Sequence, residues 1–136
     1  MIQSVVIDTN AYSAYKRGDA NALKVVKAVE SIIFSPTVLG ELLAGFELGK
    51  KAEQNRKELE EFLNEPKVLF LTINAQTAKE YSTIYKHLRQ QGTPIPTNDM
   101  WIAAIANQLD AAVFTYDDHF RKIDGLKVVQ SVLDLG

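Results

Sequence analysis

Short apolar runs rich in β-branched residues alternate with helical segments along the chain, and this alternation constrains the fold more than any other feature. The runs are IQSVVI, SIIF, VLFLTI, AAVFT and LKVV, which begin at Ile2, Ser31, Val68, Ala111 and Leu126. Runs of this length and composition are typical of buried strands. Because strands that alternate with helices form a parallel sheet covered by helices, we predict an α/β three-layer sandwich with a mainly parallel five-stranded sheet.

Helix start and stop signals lie between these runs. Ser35 followed by Pro36 is typical of a helix start, because serine caps the helix and proline suits its first turn. Pro66 ends the polar helical segment before the third run, and Gly92 ends the helical segment after it. No internal repeat or linker interrupts the pattern, so residues 1–136 are predicted to form a single domain.

Composition and charge limit the location and the partners. No apolar run approaches the ~20 residues of a membrane span, and the N-terminal run is too short for a secretion signal. The chain has no cysteine, which excludes disulfides and thiolate metal sites, so a cytoplasmic protein without a membrane partner is expected. The formal net charge of −2 provides no overall attraction to nucleic acid, so such a partner needs local basic patches or a bound cation.

Acidic residues lie where the predicted strands end. Asp8 directly follows the first strand, and Asp117 lies two residues after AAVFT. Asp99 opens the helix that leads into AAVFT, and Glu41 lies in the helix after the second strand. Because the carboxyl ends of parallel strands share one edge of the sheet, where ligands bind, we expect these four carboxylates to converge.

Four converging carboxylates without compensating lysine or arginine repel one another and destabilise the fold. A divalent cation removes this repulsion, and carboxylate oxygens are ligands that suit Mg²⁺ or Mn²⁺. Such an ion can activate a water molecule and stabilise the attacking and leaving oxygens of phosphodiester hydrolysis. The acids therefore predict metal-assisted cleavage of a phosphodiester.

Simpler interpretations exist for each acid. Asp8 and Asp99 are also typical helix caps, Glu41 suits a solvated helix face, and Asp117 with its neighbour suits a turn. Two further side chains near these acids are assigned no role in chemistry. Trp101 is expected in the core, and His119 is expected to be an exposed residue.

Two other function classes remain open. A phospho-acceptor receiver domain is also α/β and has an acidic Mg²⁺ pocket, but it needs an acceptor aspartate after the third strand, where VLFLTINAQ has none. A non-catalytic interaction module would use the polar helix at residues 50–65 to bind a partner, and its acids would only cap helices. This module predicts that Asp8→Asn and Asp99→Asn are tolerated.

Four segments together carry a resemblance to a known family. VIDTN, PTVLGELLAG with Glu41, PTNDMWIAA with Asp99 and TYDDHFRKIDGLKV resemble the PIN-domain nucleases, and most closely the VapC toxins of prokaryotic toxin-antitoxin pairs. The resemblance covers essentially the whole chain in order and spacing. Its most specific part is NDMWIAA followed by the TYDDHF turn.

The resemblance implies a PIN-like fold and a Mg²⁺- or Mn²⁺-dependent endoribonuclease that cuts structured RNA such as tRNA or rRNA. It also implies a homodimer and a cognate VapB-type antitoxin that blocks the site. The acidic quartet of the family falls on Asp8, Glu41, Asp99 and Asp117, of which Asp8, Asp99 and Asp117 are the expected metal ligands. Polar groups that orient these acids fall on Thr9, Asn10, Asn98 and Thr115, and Asp118 is an alternative to Asp117 as the fourth acid.

Overall fold

A computed structural model describes residues 1–136 and contains one five-stranded sheet. The strands are β1 (Ser4–Ile7), β2 (Ser31–Phe34), β3 (Val68–Phe70), β4 (Ala112–Phe114) and β5 (Val128–Val129). Their order across the sheet is β3-β2-β1-β4-β5, and every neighbouring pair is parallel. The predicted α/β class and strand number are confirmed, and the sheet is wholly rather than mainly parallel.

Six α-helices connect the strands. They are α1 (Thr9–Lys16), α2 (Ala20–Ala28), α3 (Pro36–Glu47), α4 (Ala52–Leu63), α5 (Ala75–Gln91) and α6 (Thr97–Gln108). The Ser35 hydroxyl accepts a hydrogen bond from the Val38 N–H at 3.2 Å, which caps α3 as predicted. Gly92 ends α5 with a φ of +69°, a left-handed conformation that glycine adopts without steric cost. Two short 3₁₀ helices follow β4 and β5, at Asp118–Lys122 and Val132–Leu135.

The two edge strands are shorter than the apolar runs that predicted them. Pairing between β2 and β3 ends at Phe34 and Phe70, because Ser35 begins α3 and the chain of β2 leaves the sheet. The carbonyl of Phe34 accepts one further hydrogen bond from Leu71, but the rest of the run VLFLTI has no strand partner. An apolar run therefore overestimates strand length at an edge, where only one neighbour is present to pair.

The strand order reverses between β1 and β4. The first three strands extend the sheet in one direction from β1, and the last two extend it in the other direction. Such a reversal opens a crevice at the carboxyl ends of the two central strands. A receiver domain has the order 2-1-3-4-5, so the receiver alternative is wrong for this chain.

A single hydrophobic core of 35 buried residues supports the sheet at the carboxyl ends of its strands, where the crevice opens. Val5, Val6 and Ile7 of β1 are fully buried, and α6 buries most of its length against the sheet and α5. Trp101, expected in the core, is only partly buried and stacks on Tyr81 with ring centroids 4.1 Å apart. None of the helices has the length and apolar character that a membrane span requires.

Candidate active site

A polar cavity of about 300 Å³ lies at the crevice beside β1 and β4. No hydrophobic side chain lines it. The residues around it are Asp8, Thr9, Asn10, Glu41, Pro96, Asn98, Asp99, Asp117 and His119. The cavity thus brings together the four acids expected to converge, and no lysine or arginine lies among its lining residues.

Asp8 lies at the junction of β1 and α1 and is only 5% exposed. Its carboxylate accepts hydrogen bonds from the Thr9 N–H at 2.8 Å and from the Thr115 hydroxyl at 2.7 Å. It therefore caps α1, as the simpler interpretation holds, while it also faces the other acids. Burial raises the pKa of Asp8, and the charges of Glu41 and Asp117 raise it further.

Asn10 and Thr115 connect α1 to the turn that follows β4. The Asn10 side-chain amide donates to Asp8 at 3.3 Å, and its oxygen accepts from the Tyr116 N–H at 3.0 Å. The Thr115 hydroxyl, which donates to Asp8, also accepts from the Asp117 N–H at 3.0 Å. The turn after β4 carries the adjacent residues Asp117 and Asp118 and is called the acidic turn below. The hydrogen-bond network holds the backbone of this turn in a fixed position relative to Asp8.

Glu41 reaches the cavity from the second turn of α3. The Thr9 hydroxyl donates to Oε1 and the Asn98 amide donates to Oε2, both at 2.9 Å. Each carboxylate oxygen is thus held by a neutral donor from a different helix, α1 or α6. Because Glu41 lines the cavity and is bound there by two other helices, it is more than a solvated side chain on the outer face of α3.

Asp99 is the third residue of α6 and is 7% exposed. The N-cap of this helix is Pro96, and no side chain makes a capping hydrogen bond there, so helix capping does not explain this buried acid. Burial raises the pKa of Asp99 to about 6, and the charges of Asp8 and Asp117 add to this shift, whereas His119 opposes it. A buried carboxyl with a perturbed pKa in a polar cavity is typical of a functional site.

The acidic turn presents one of its two aspartates to the cavity. Asp117 caps the 3₁₀ helix by accepting the His119 N–H at 2.9 Å, and its side chain is 35% exposed. The side chain of Asp118 is 83% exposed and lies 3.5 Å from Arg121, and it accepts a hydrogen bond from Gln130 at 3.2 Å. The structure therefore places Asp117 in the cavity and Asp118 outside it.

His119, expected to be an ordinary exposed residue, contacts two of the acids. Its Nδ1 atom lies 3.3 Å from Asp99 Oδ2 and 3.2 Å from Asp117 Oδ2, although the side chain is 44% exposed. The only sequence signal was its position two residues after Asp117, and this signal is weak because the direction of the ring depends on the conformation of the turn.

The donors in the cavity fit a divalent cation. Ligand atoms of Asp99, Asp117 and His119 lie within 4.8 Å of one another, with Asp8 and Glu41 around the same cavity. Carboxylate oxygens are the preferred ligands of hard divalent ions, and a cation would offset both the burial and the mutual repulsion that raise the pKa values of Asp8 and Asp99. The residues present can therefore hold such an ion.

Comparison with known proteins identifies one family over most of the chain. The family model of the PIN domain matches residues 5–126. The ribonuclease VapC2 of Rickettsia felis is 31% identical over 126 residues, which is 89% of this chain and 92% of that protein.

Solved structures give the same result. The structure of VapBC2 from Rickettsia felis bound to a DNA fragment from their promoter has a TM-score of 0.83 at 26% identity, and the match covers 93% of this chain and 98% of that one. The structure of VapBC-1 from nontypeable Haemophilus influenzae has a TM-score of 0.77 at 26% identity, and the match covers 93% of this chain and 97% of that one. The fold of this chain is therefore similar to that of the matched chain in each of these VapBC structures.

Proposed function

This chain belongs to the PIN domain family, and from that membership we propose that it is a metal-dependent endoribonuclease of the VapC type that acts as one domain over residues 1–136. The observation that carries the proposal is the convergence of four carboxylates in a cavity that no lysine or arginine side chain lines. The junction of β1 and α1, the helices α3 and α6, and the turn after β4 each contribute one of them. Such an arrangement is costly for the fold, and a bound cation offsets this cost.

Asp8, Asp99 and Asp117 are the proposed ligands of Mg²⁺ or Mn²⁺. PIN-domain nucleases generally use a divalent metal, and the oxygen donors of the cavity suit either ion. When bound, such an ion supplies a nucleophilic water at neutral pH and stabilises negative charge on the phosphate oxygens. Asn10 and Thr115 hold the Asp8 carboxylate in its orientation through their hydrogen bonds.

Glu41 is the proposed acceptor of a proton from water or from a substrate hydroxyl. Each of its oxygens accepts one hydrogen bond, from Thr9 or from Asn98, and retains a second lone pair. The two donors come from α1 and α6 and hold the carboxylate in one orientation in the cavity. Thr9 and Asn98 are therefore positioning residues for Glu41.

RNA is the proposed substrate, with structured molecules such as tRNA or rRNA as the class. All of the residues that line the cavity except Pro96 have polar or charged side chains, so the cavity suits a phosphate and its water molecules better than an apolar ligand. Lys122, and Arg121 when it leaves its surface ion pair with Asp118, lie in the same 3₁₀ helix as His119 and can contact the phosphate backbone beside the cavity. A local basic segment of this kind is what a chain with a net charge of −2 needs to hold RNA.

A VapB-type antitoxin and a second copy of the chain are the proposed protein partners. The similar solved structures are VapBC complexes, which supports the antitoxin. We assign the partner surface to the α3–α4 hairpin by analogy with the family, and Leu48, which is 91% exposed between the two helices, would lie in that contact.

Incubation of the purified chain with total RNA tests the proposed activity. Wild type and Asp118→Asn should degrade RNA when Mg²⁺ or Mn²⁺ is present and leave it intact when a chelator is present, whereas Asp99→Asn should be inactive in both conditions. Asp118 is a matched control, because the same substitution is made next to Asp117 at a side chain that lies outside the cavity and is 83% exposed. Identical RNA patterns in all lanes would contradict the nuclease assignment and favour an interaction module.

A further inference from the structure

We propose that Nδ1 of His119 is itself a metal ligand, so that one ring nitrogen joins the proposed carboxylate ligands and the site prefers a transition-metal ion to Mg²⁺. This inference rests on the proposed metal-dependent nuclease function and adds to it a nitrogen ligand. The family resemblance assigns only acidic ligands, so the nitrogen is a property of this chain's own cavity.

The backbone of the acidic turn directs the His119 ring toward the acids. Asp117 caps the 3₁₀ helix, and its Oδ1 accepts the N–H of His119 at 2.9 Å. The ring then turns back over the same carboxylate, so that Nδ1 lies 3.2 Å from the other oxygen, Oδ2. The same nitrogen lies 3.3 Å from Oδ2 of Asp99 at the start of α6.

These separations match neighbouring ligand atoms around an ion. Two atoms that lie at right angles around a cation, each about 2.1–2.2 Å from it, are about 3.0–3.1 Å apart. A charge-assisted hydrogen bond from a ring nitrogen to a carboxylate is shorter, about 2.7–2.9 Å, and the one hydrogen on Nδ1 cannot point at both acids equally well. The arrangement of His119 between Asp99 and Asp117 therefore resembles three corners of a coordination shell more closely than a strong ion pair.

A ring nitrogen changes which ion the site selects. Mg²⁺ prefers oxygen ligands and retains its water molecules, whereas imidazole is a good ligand for first-row transition metals, with affinity that rises from Mn²⁺ toward Cu²⁺. The loss of His119 should therefore weaken the binding of Mn²⁺ and leave the binding of Mg²⁺ almost unchanged.

The chain provides its own control for a spectroscopic test. It has only two histidines, and the other one, His87, lies on α5 with Nε2 2.9 Å from Asp124 Oδ2, and it does not line the cavity. A nitrogen that couples to a bound ion in the cavity and responds to histidine labelling can therefore be assigned to His119.

Pulsed electron paramagnetic resonance of the full chain loaded with one equivalent of Mn²⁺ is the test. In wild type and His87→Ala, the electron spin echo of Mn²⁺ should be modulated by a nitrogen nucleus, and this modulation should change when histidine is labelled with ¹⁵N. The variants His119→Ala and His119→Gln should lack the modulation. Calorimetry should show that Mn²⁺ affinity falls about tenfold in both His119 variants, while Mg²⁺ affinity changes less than about threefold.

The outcomes separate this inference from the function on which it rests. If Mn²⁺ binds to wild type without a histidine modulation, or if His119→Ala retains the modulation, the nitrogen ligand is refuted and the metal-dependent nuclease stands. If wild type binds neither Mn²⁺ nor Mg²⁺, both proposals are refuted. Equal losses of Mn²⁺ and Mg²⁺ affinity in His119→Gln would also contradict the proposed selectivity.

Discussion

Asp99→Asn is expected to make the metal-free protein more stable while it removes activity. The Asp99 side chain is 9% exposed, and burial together with the charges of Asp8 and Asp117 raises its pKa from 3.8 to about 6. Because the pKa is raised by about 2, the ionised carboxylate destabilises the folded state by about 3 kcal/mol at neutral pH. Asparagine has nearly the same shape as aspartate and no charge, so we expect the substitution to raise the free energy of unfolding by about 1–3 kcal/mol. The lower value applies if the asparagine amide makes weaker hydrogen bonds in this position than the carboxylate does.

The gain in stability should depend on pH in a defined direction. Above about pH 6 the Asp99 carboxyl is ionised in both the folded and the unfolded chain, and its full cost is present. Between about pH 6 and pH 4 the folded state takes up the proton first, so wild type becomes more stable relative to Asp99→Asn as the pH falls. Below about pH 4 the carboxyl is neutral in both states, and the difference between the two proteins should approach zero.

Urea unfolding followed by circular dichroism, with a chelator present, measures this difference at pH 7, 6, 5 and 4. Asp118→Asn is the matched control, because its side chain is 83% exposed and its replacement should change stability by less than about 0.5 kcal/mol. An Asp99→Asn protein that is less stable than wild type at pH 7, or a stability difference that does not vary with pH, would refute the account of Asp99 as a buried and repelled charge.

Three further predictions test the metal, the orientation of Glu41 and the fold. Mn²⁺ at about 100 times its dissociation constant should stabilise wild type by about 2.7 kcal/mol and leave the stability of Asp99→Asn unchanged, as measured in a thermal shift assay. Equal shifts in the two proteins would argue against the cavity as the metal site. Asn98→Ala removes the hydrogen-bond donor to Glu41 Oε2, so RNA cleavage followed on gels should slow by about 10–100-fold while the affinity for Mn²⁺ stays nearly unchanged. An undiminished rate of cleavage would contradict the role of Asn98 in positioning Glu41. Gly92→Ala should lower the free energy of unfolding by about 1 kcal/mol, because Gly92 has a φ of +69°, whereas Gly45→Ala inside α3 should be neutral or stabilising. Similar effects of the two substitutions would contradict the left-handed conformation at the end of α5.

The fold and the convergence of the acids could be predicted from the sequence because both follow from topology. Asp8 and Asp117 come directly after β-branched runs, and parallel strands bring their carboxyl ends to one edge whatever the details of packing. Glu41 and Asp99 lie in the first two turns of helices that begin at that edge. The role of these acids as ligands and catalysts stays a prediction, since it depends on an ion and a substrate.

The finer details depended on local conformation that residue types do not determine. The adjacent aspartates 117 and 118 are equivalent in the sequence, and only the 3₁₀ turn places one in the cavity and the other in solvent. The same turn brings the ring of His119 back to Asp99, which the sequence could not indicate. The lengths of β3 and β5 were overestimated because an apolar run does not show where its neighbour leaves the sheet.

Crystals of the chain soaked in Mn²⁺ and measured at the manganese absorption edge test the central claim most directly. We expect an anomalous difference peak in the polar cavity, about 2.1–2.3 Å from carboxylate oxygens of Asp8, Asp99 and Asp117, which is absent from crystals of Asp99→Asn. A fully occupied Mn²⁺ elsewhere on the chain, with no peak among these carboxylates, would contradict the claim that the four acids form the metal site of a nuclease.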